Sequence, residues 1–286
     1  MHLISRMLLP VDFSDRCMGM LQYAKAAAAK YDAELILLHV AAPIYEIPAT
    51  GISGPVFIPV PREVITKTGD ELEKFGADQL QGIKVRRVLY EGDPVEQIVR
   101  FAASEKIDLI TMPTHGYGAF RQFLIGSVTA KVLHDVCCPV LTGAHMGEEP
   151  AAKLGRFSNV LCAIDLGPQS PGVLQWASQL ATDFHAQLGV VHAVPPLSPG
   201  SGLGGREEVA NMARKDVETV LSAIGPATAT VHIQEGEAAK AVCSFAKEAG
   251  ADLLVIGRGP RDKTHGRLTT QVYAIVRQSP CPVIGI

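Results

Sequence analysis

Short apolar runs alternate with longer amphipathic stretches along the whole chain. The runs near 4–11, 34–40, 83–90, 107–112 and 139–142 have the length and apolar character of buried parallel strands. Between them, apolar positions at helical spacing predict helices near 16–31, 62–80, 94–106 and 127–136. In the last of these, Val128, Val132 and Leu133 share one helical face. The same alternation returns later, with strands predicted near 158–164, 187–194, 228–234, 252–257 and 282–286 and helices between them. Such a pattern implies an α/β fold whose mostly parallel sheet is covered on both faces and joined by right-handed crossovers. One stretch, 41–61, differs in texture. Five prolines and two glycines fall within it, after the second strand, so it reads either as a surface connection or as a cover over a ligand at that sheet edge.

The alternation is one unit written twice. A shift of 153 residues lays MLLPVDFSD on VLCAIDLGP and LILLHV on LGVVHA, pairing Asp12 with Asp165 and His39 with His192. A shift of 144 pairs Glu91-Gly92-Asp93 with Glu235-Gly236-Glu237, Phe101 with Phe245 and Asp108 with Asp252. After one more single-residue slip, Gly116 meets Gly259 and Cys138-Pro139-Val140 meets Cys281-Pro282-Val283. Ordered matches along both halves indicate duplication and two domains. We set them at 1–145 and 157–286, with 146–156, polar and rich in small residues, as the linker.

Composition narrows the function. The chain has 286 residues, 47% of them hydrophobic and 19% charged, which suits compact folding rather than disorder. A net charge of −3 argues against a general nucleic-acid or anionic-membrane binder. No run approaches the ~20 apolar residues that span a bilayer. The start of the chain reads as a core strand rather than a secretory signal, so a cytoplasmic location is expected. Six cysteines lie mostly in apolar runs, as reduced buried thiols do. His134, Cys137 and Cys138 cluster, but their spacing fits no zinc pattern and no metal is expected there.

The candidate chemistry sits at Met112 to Leu133, MPTHGYGAFRQFLIGSVTAKVL, where a strand runs through a glycine-studded loop into a helix. Such a loop brings backbone N–H groups and the positive end of a helix to the C-terminal edge of a sheet, where phosphate binds well. Gly116, Gly126 and Ser127 are the phosphate candidates, with Val128 as a further amide donor. Ser127 also reads as a plain N-cap. Arg121 is a possible counter-charge within the loop. Asp12 ends the first strand and points toward the same cleft, or else caps the helix that follows. No catalytic residues are assigned. His115 lacks a partner nameable from spacing and reads as a loop-shaping or ligand-contact residue, while His39 and His192 read as structural.

The glycine pattern resembles the ATP-binding signature of the universal stress protein family, Gly-x2-Gly-x9-Gly-Ser/Thr. Gly116, nine residues, then Gly126-Ser127 match its second half, and Thr114-His115-Gly116 matches the usual Thr/Ser-His-Gly. Pro113 stands where the first glycine belongs, removing one N–H donor. The resemblance extends through VDFSD and LLHV and over both copies. It implies two tandem Rossmann-like (adenine nucleotide α-hydrolase-like) domains with strand order 3-2-1-4-5. It also implies ATP, ADP or AMP as ligand, with or without Mg2+, Asp12 beside the adenosine and the Val40 backbone on the adenine. The implied role is regulation or protection in the stress response, with at most slow ATP turnover. The halves are expected to pack as an intrachain pseudo-dimer through strands 139–142 and 282–286, and whole chains to pair as homodimers. In the second half Thr269-Thr270 replace Gly126-Ser127, so nucleotide binding there should be weak, altered or lost. Arg258, Arg261, Lys263 and Arg267 leave that loop basic enough to hold an anion by side chains. Two other readings stay open: an enzyme of the wider nucleotide α-hydrolase-like group, and a partner-binding module without nucleotide.

Overall fold

The structure, a computed structural model, describes residues 3–46, 56–114, 125–143, 157–196, 202–225, 228–259 and 270–286. In the first half the elements run β1 (Arg6–Pro10), α1 (Asp15–Tyr31), β2 (Glu34–Ala41), β3 (Ile44–Glu46), β4 (Val56–Ile58), α2 (Arg62–Lys74) and β5 (Val85–Glu91). The half continues through α3 (Pro94–Ser104), β6 (Leu109–Thr111), α4 (Ser127–Asp135) and β7 (Val140–Thr142). The second half follows with β8 (Asn159–Ala163), α5 (Ser170–Phe184), β9 (Gln187–Val194), α6 (Gly202–Ala223) and β10 (Ala229–Glu235). It closes with α7 (Ala238–Glu248), β11 (Leu253–Ile256), α8 (Thr270–Gln278) and β12 (Val283–Gly285).

One ten-stranded sheet runs through both halves in the order β10-β9-β8-β11-β12-β7-β6-β1-β2-β5. Neighbouring strands are parallel except at its middle, where β12 meets β7 antiparallel with Ile284 opposite Leu141. The two halves are therefore joined edge to edge within one chain. Apolar side chains on alternate strand positions feed opposite faces. Met7, Leu9, Leu35 and Leu37 face a cluster that continues into Val160, Cys162, Val190 and Val255 of the second half. Leu8, Ile36 and Leu38 turn to the other face, against Ile98, Phe101 and Val132. Each such fully buried aliphatic side chain contributes about 1.5–3 kcal/mol.

The halves are also tied by helices. Tyr31 at the end of α1 donates its hydroxyl to Asp183 of α5 at 2.8 Å and packs edge-on against Phe184. Burial first, then the Asp183 carboxylate, pushes the Tyr31 phenol well above its ordinary range. A further contact is built twice. Asp108 accepts the amides of Ser5 and Arg6 at 2.7 and 2.9 Å, and Asp252 accepts those of Ser158 and Asn159 at 2.8 and 3.0 Å. A carboxylate beside the fourth strand thus pins the start of the first strand in each half.

Two expectations change. The helix predicted over 62–80 stops at Lys74, because the turn after it needs Gly76 at φ +63° and within reach of α1. A Cβ there would lie 2.3 Å from Leu21 Cδ2. The 41–61 stretch is not simply irregular: Ile44–Glu46 and Val56–Ile58 pair as a small antiparallel ribbon, using its β-branched and aromatic residues. Residues 47–55 lie outside the described residues.

Burial holds three of the thiols protonated. It pushes Cys17 up to about 12 and Cys243 up to about 11, and raises Cys162 as well. Among the described residues no group of three metal-ligating side chains forms, and no helix is long and apolar enough to cross a membrane.

Candidate functional site

The parallel strands β6, β1 and β2 are neighbours, so their C-terminal ends open onto one edge of the sheet. Asp12 follows β1 there. Its Oδ1 accepts the Ser14 amide at 3.0 Å and the Ser14 hydroxyl at 2.6 Å, while Ser14 caps α1 through the Cys17 amide at 3.2 Å. Asp12 is therefore not the helix cap; it orients the residue that is. Phe13 between them takes φ +61°, and its ring packs 4.7 Å from that of His39. His39 Nδ1 lies 2.7 Å from Val11 O and anchors the same turn from β2.

Val40 lies on the neighbouring strand. Past the end of β1, Val11 N–H still donates to Leu38 O at 2.8 Å. Val40 is two residues further along, on the same edge of β2, so its N–H and C=O face the cleft beyond β1. A planar base edge carrying one donor and one acceptor can pair with such a strand end.

The third side of the cleft is the start of α4. Gly126 occupies the N-cap with φ −58° and no side-chain cap, so Ser127 is the first helical residue rather than the cap. Gly126 N–H donates to Thr114 O at 2.7 Å, and the first intrahelical bond runs from Ala130 N–H to Gly126 O at 2.9 Å. The Gly126 amide is thus already paired within the loop, and the residue is not left-handed. The amides of Ser127, Val128 and Thr129 belong to the first turn, whose N–H groups have no carbonyl within the helix to bond. Ser127 is exposed and Thr129 is buried, its hydroxyl donating to Pro113 O at 2.9 Å and holding the helix start against the loop. His115, Gly116 and Arg121 lie outside the described residues. The structure thus brings Asp12, Val40, Gly126, Ser127 and Val128 to one sheet edge.

The second half repeats the turn but not the rest. Asp165 Oδ1 accepts Gly167 N–H at 2.8 Å and the Ser170 hydroxyl at 3.2 Å; Leu166 has φ +61°, and His192 Nδ1 lies 2.9 Å from Ile164 O. Beside it an open cleft of about 490 Å3 is spanned by Gln169, whose Nε2 donates to Gly259 O at 2.8 Å. Arg258 does not line an anion site. It is 6% exposed, and its guanidinium donates to Leu133 O at 2.7 Å and Cys138 O at 3.0 Å, at the far end of α4. A buried guanidinium is best matched where helix carbonyls converge with their negative dipole. Arg261, Lys263 and Arg267 lie outside the described residues.

Two residues hold α4 from the second half, Arg258, which the sequence cast as an anion-holding cation, and Tyr273, which it passed over. Arg258 grips its C-terminal end. Tyr273 on α8 accepts the Ile125 amide at 3.1 Å, one residue before the Gly126 cap. The signal was in the repeat: Tyr273 stands where the first half has Ala130, and Arg258 where it has Thr114.

Comparison with known proteins agrees with this layout. The sequence model described as "Universal stress protein family" matches residues 4–142 and again 156–285. A universal stress protein of Methanocaldococcus jannaschii is 31% identical over 144 residues, covering 49% of this chain and 82% of that protein. One from Mycolicibacterium smegmatis is 25% identical over 201 residues, covering 67% of each chain. In fold, a universal stress protein from Archaeoglobus fulgidus overlays 98% of this chain and 97% of its own, with a TM-score of 0.70 at 24% identity. With both halves matched and the fold shared end to end, the chain belongs to the universal stress protein family, in a tandem two-domain form.

Proposed function

We propose that the N-terminal half binds ATP or a related adenine nucleotide, ADP or AMP, at the C-terminal edge of its sheet. On this reading the chain acts in the cytoplasm as a stress-response regulator or protector rather than as a fast catalyst. The observation that supports it most is the first turn of α4, Ser127 to Thr129, opening beside Asp12 and the Val40 backbone. The Val40 strand end takes the base, Asp12 lies between base and ribose, and the helix start takes the phosphates. His115 and Gly116, in the loop preceding that helix, keep their assigned places as ligand contacts. Mg2+, where it accompanies the nucleotide, is held mainly by phosphate oxygens and water.

The test is a thermal-shift series with ATP, ADP and AMP, with and without Mg2+. At one hundred times Kd, bound nucleotide adds about 2.7 kcal/mol of stability. Gly126→Val combined with Ser127→Ala should remove that gain, whereas Thr270→Ala should keep it. No gain with any nucleotide overturns the reading.

One observation favours a second reading, a partner-binding module without nucleotide. Pro113 has no amide and the Gly126 amide is already bonded to Thr114, so two donors of the family loop are gone. Partners on that reading are other proteins, including a second copy of this chain. Since β7 and β12 already pair with each other, a homodimer would use other surfaces.

A further inference from the structure

The two halves differ most on the α3/α7 side of the sheet, near its N-terminal edge. In the first half Arg86 lies across the strands there. It bonds Glu34 at 3.1 Å and Glu105 at 2.7 Å, and its guanidinium carbon sits 5.8 Å from the centre of the Phe101 ring. Ile36, fully buried, fills the floor beneath. Strand register identifies the matching positions: Ile36 pairs with Arg86 in β2 and β5, as Gly189 pairs with Thr230 in β9 and β10. The ion pairs that fill the first-half site are lost, and three of its side chains are cut back. Arg86 becomes Thr230, Ile36 becomes Gly189, and the carboxylates Glu34 and Glu105 become Gln187 and Ala249. The ring is kept, as Phe245, and Val88 becomes His232, whose ring packs 4.5 Å from it.

The result is a half-open pocket of about 170 Å3 with a mixed polar and apolar lining. By volume that is room for a single ring, since roughly 150 Å3 accommodates benzene in an enclosed apolar cavity. Two rings make one wall, and the rim carries neutral hydrogen-bonding groups: the Gln187 amide, and the Thr230 hydroxyl 3.1 Å from His232 Nε2. With both carboxylates gone, the nearest acid is Asp252, which is already bonded to the amides of Ser158 and Asn159, so the site offers a cation little counter-charge. We propose that this pocket of the second half binds an uncharged, single-ring planar molecule with a hydrogen-bonding edge, stacked against Phe245. The site is separate from the nucleotide cleft, which lies at the opposite edge of the other half's sheet. Burial, and secondly Arg214, lowers the His232 pKa, which keeps that wall uncharged and agrees with a neutral guest.

NMR titration of the full chain tests this, with uracil and phenol as neutral probes and benzamidine as a cationic one. The neutral rings should produce saturable shifts confined to amides lining the pocket in β8, β9, β10 and the end of α7, and benzamidine should not. Gly189→Ile restores the first-half residue and should abolish the shifts; its Cβ would start 3.1 Å from Leu161 Cδ1, so the neighbour must give slightly. Thr230→Arg with Ala249→Glu fills the pocket from the other side with the first half's own ion pair, and should abolish them equally. Absence of saturation with both neutral rings, equal binding of benzamidine, or shifts that survive both fillings would each overturn the assignment.

Discussion

Asp12 and Asp165 end their first strands in the same turn, each followed by a residue at φ +61°, yet the loops after the fourth strands have diverged. In the first half Thr114 is a small buried residue whose carbonyl takes the Gly126 amide. In the second, Arg258 fills that position and reaches across the junction to α4. The reach needs room, and Gly285 supplies it where the first half has Thr142: a Cβ at Gly285 would lie 2.9 Å from Arg258 Cγ. The halves share one plan, yet each of these contacts between them is one-sided: Arg258 and Tyr273 hold α4 of the first half, and Tyr31 holds α5 of the second. In a pair of identical subunits that one-sidedness is unavailable, because symmetry repeats every substitution on both sides.

Removing the one-sided element should have the largest effect. Arg258→Met leaves Leu133 O and Cys138 O inside the junction without their donor, and should cost about 2–4 kcal/mol of stability, read as a lower urea midpoint. Thr114→Val, the same position in the first half, should cost about 1 kcal/mol, since it removes the hydroxyl that donates to Gly143 O at 3.3 Å. Equal losses would show that the halves hold the junction symmetrically.

The shared element sets the next scale. Asp108→Ala and Asp252→Ala each remove a carboxylate that takes two backbone amides, so each should cost about 1–2 kcal/mol. Near-equal urea midpoints for the two variants are expected. A cost confined to one variant would mean that stability is concentrated in that half.

How much of this was legible in the residues follows the same division. Features made of repeated local patterns could be read from sequence: the ten strands of the main sheet, and the return of Asp12 at Asp165 and of Asp108 at Asp252. Contacts whose partners lie in the other half could not. Arg258 reads as a loop cation because nothing local shows that its carbonyl partners come from α4 and the turn after it, 125 and 120 residues away. Ser127 reads as a cap because Ser favours that place, yet Gly126 takes it when its amide closes onto Thr114. The β3–β4 ribbon hid behind prolines that sit at and between its strands rather than within them.

Tyr273 makes a smaller and more specific claim. Tyr273→Phe removes the acceptor of the Ile125 amide, one residue before the cap of α4, and keeps the ring that packs beside it. The folded chain should lose about 0.5–1.5 kcal/mol. If the second half positions the nucleotide site, ATP affinity measured by calorimetry should fall about three- to ten-fold beyond that. Ala130→Tyr, which places the same ring on the first half, should not restore it. Unchanged affinity in Tyr273→Phe, alongside binding by the parent chain, would confine Tyr273 to packing.

The smallest effect separates the halves by pH. His232 in β10 has its pKa lowered, first by burial and then by Arg214, whereas the first half carries Val88 at that position. A histidine whose folded value lies below its unfolded value gives stability that is complete above the unfolded value. As pH falls through about 6.5 the unfolded chain takes the proton first, and that stability drains away until the folded value is passed. The parent chain should therefore lose urea midpoint between about pH 7.5 and 5.5 by more than His232→Val does over the same interval. The imidazole is partly open to solvent, so the difference should be small, and it should shrink further when Arg214→Gln removes the second cause. Were Arg214→Gln to leave the difference untouched, burial alone would set the shift. Were His232→Val to lose as much as the parent, the acid sensitivity would lie outside β10.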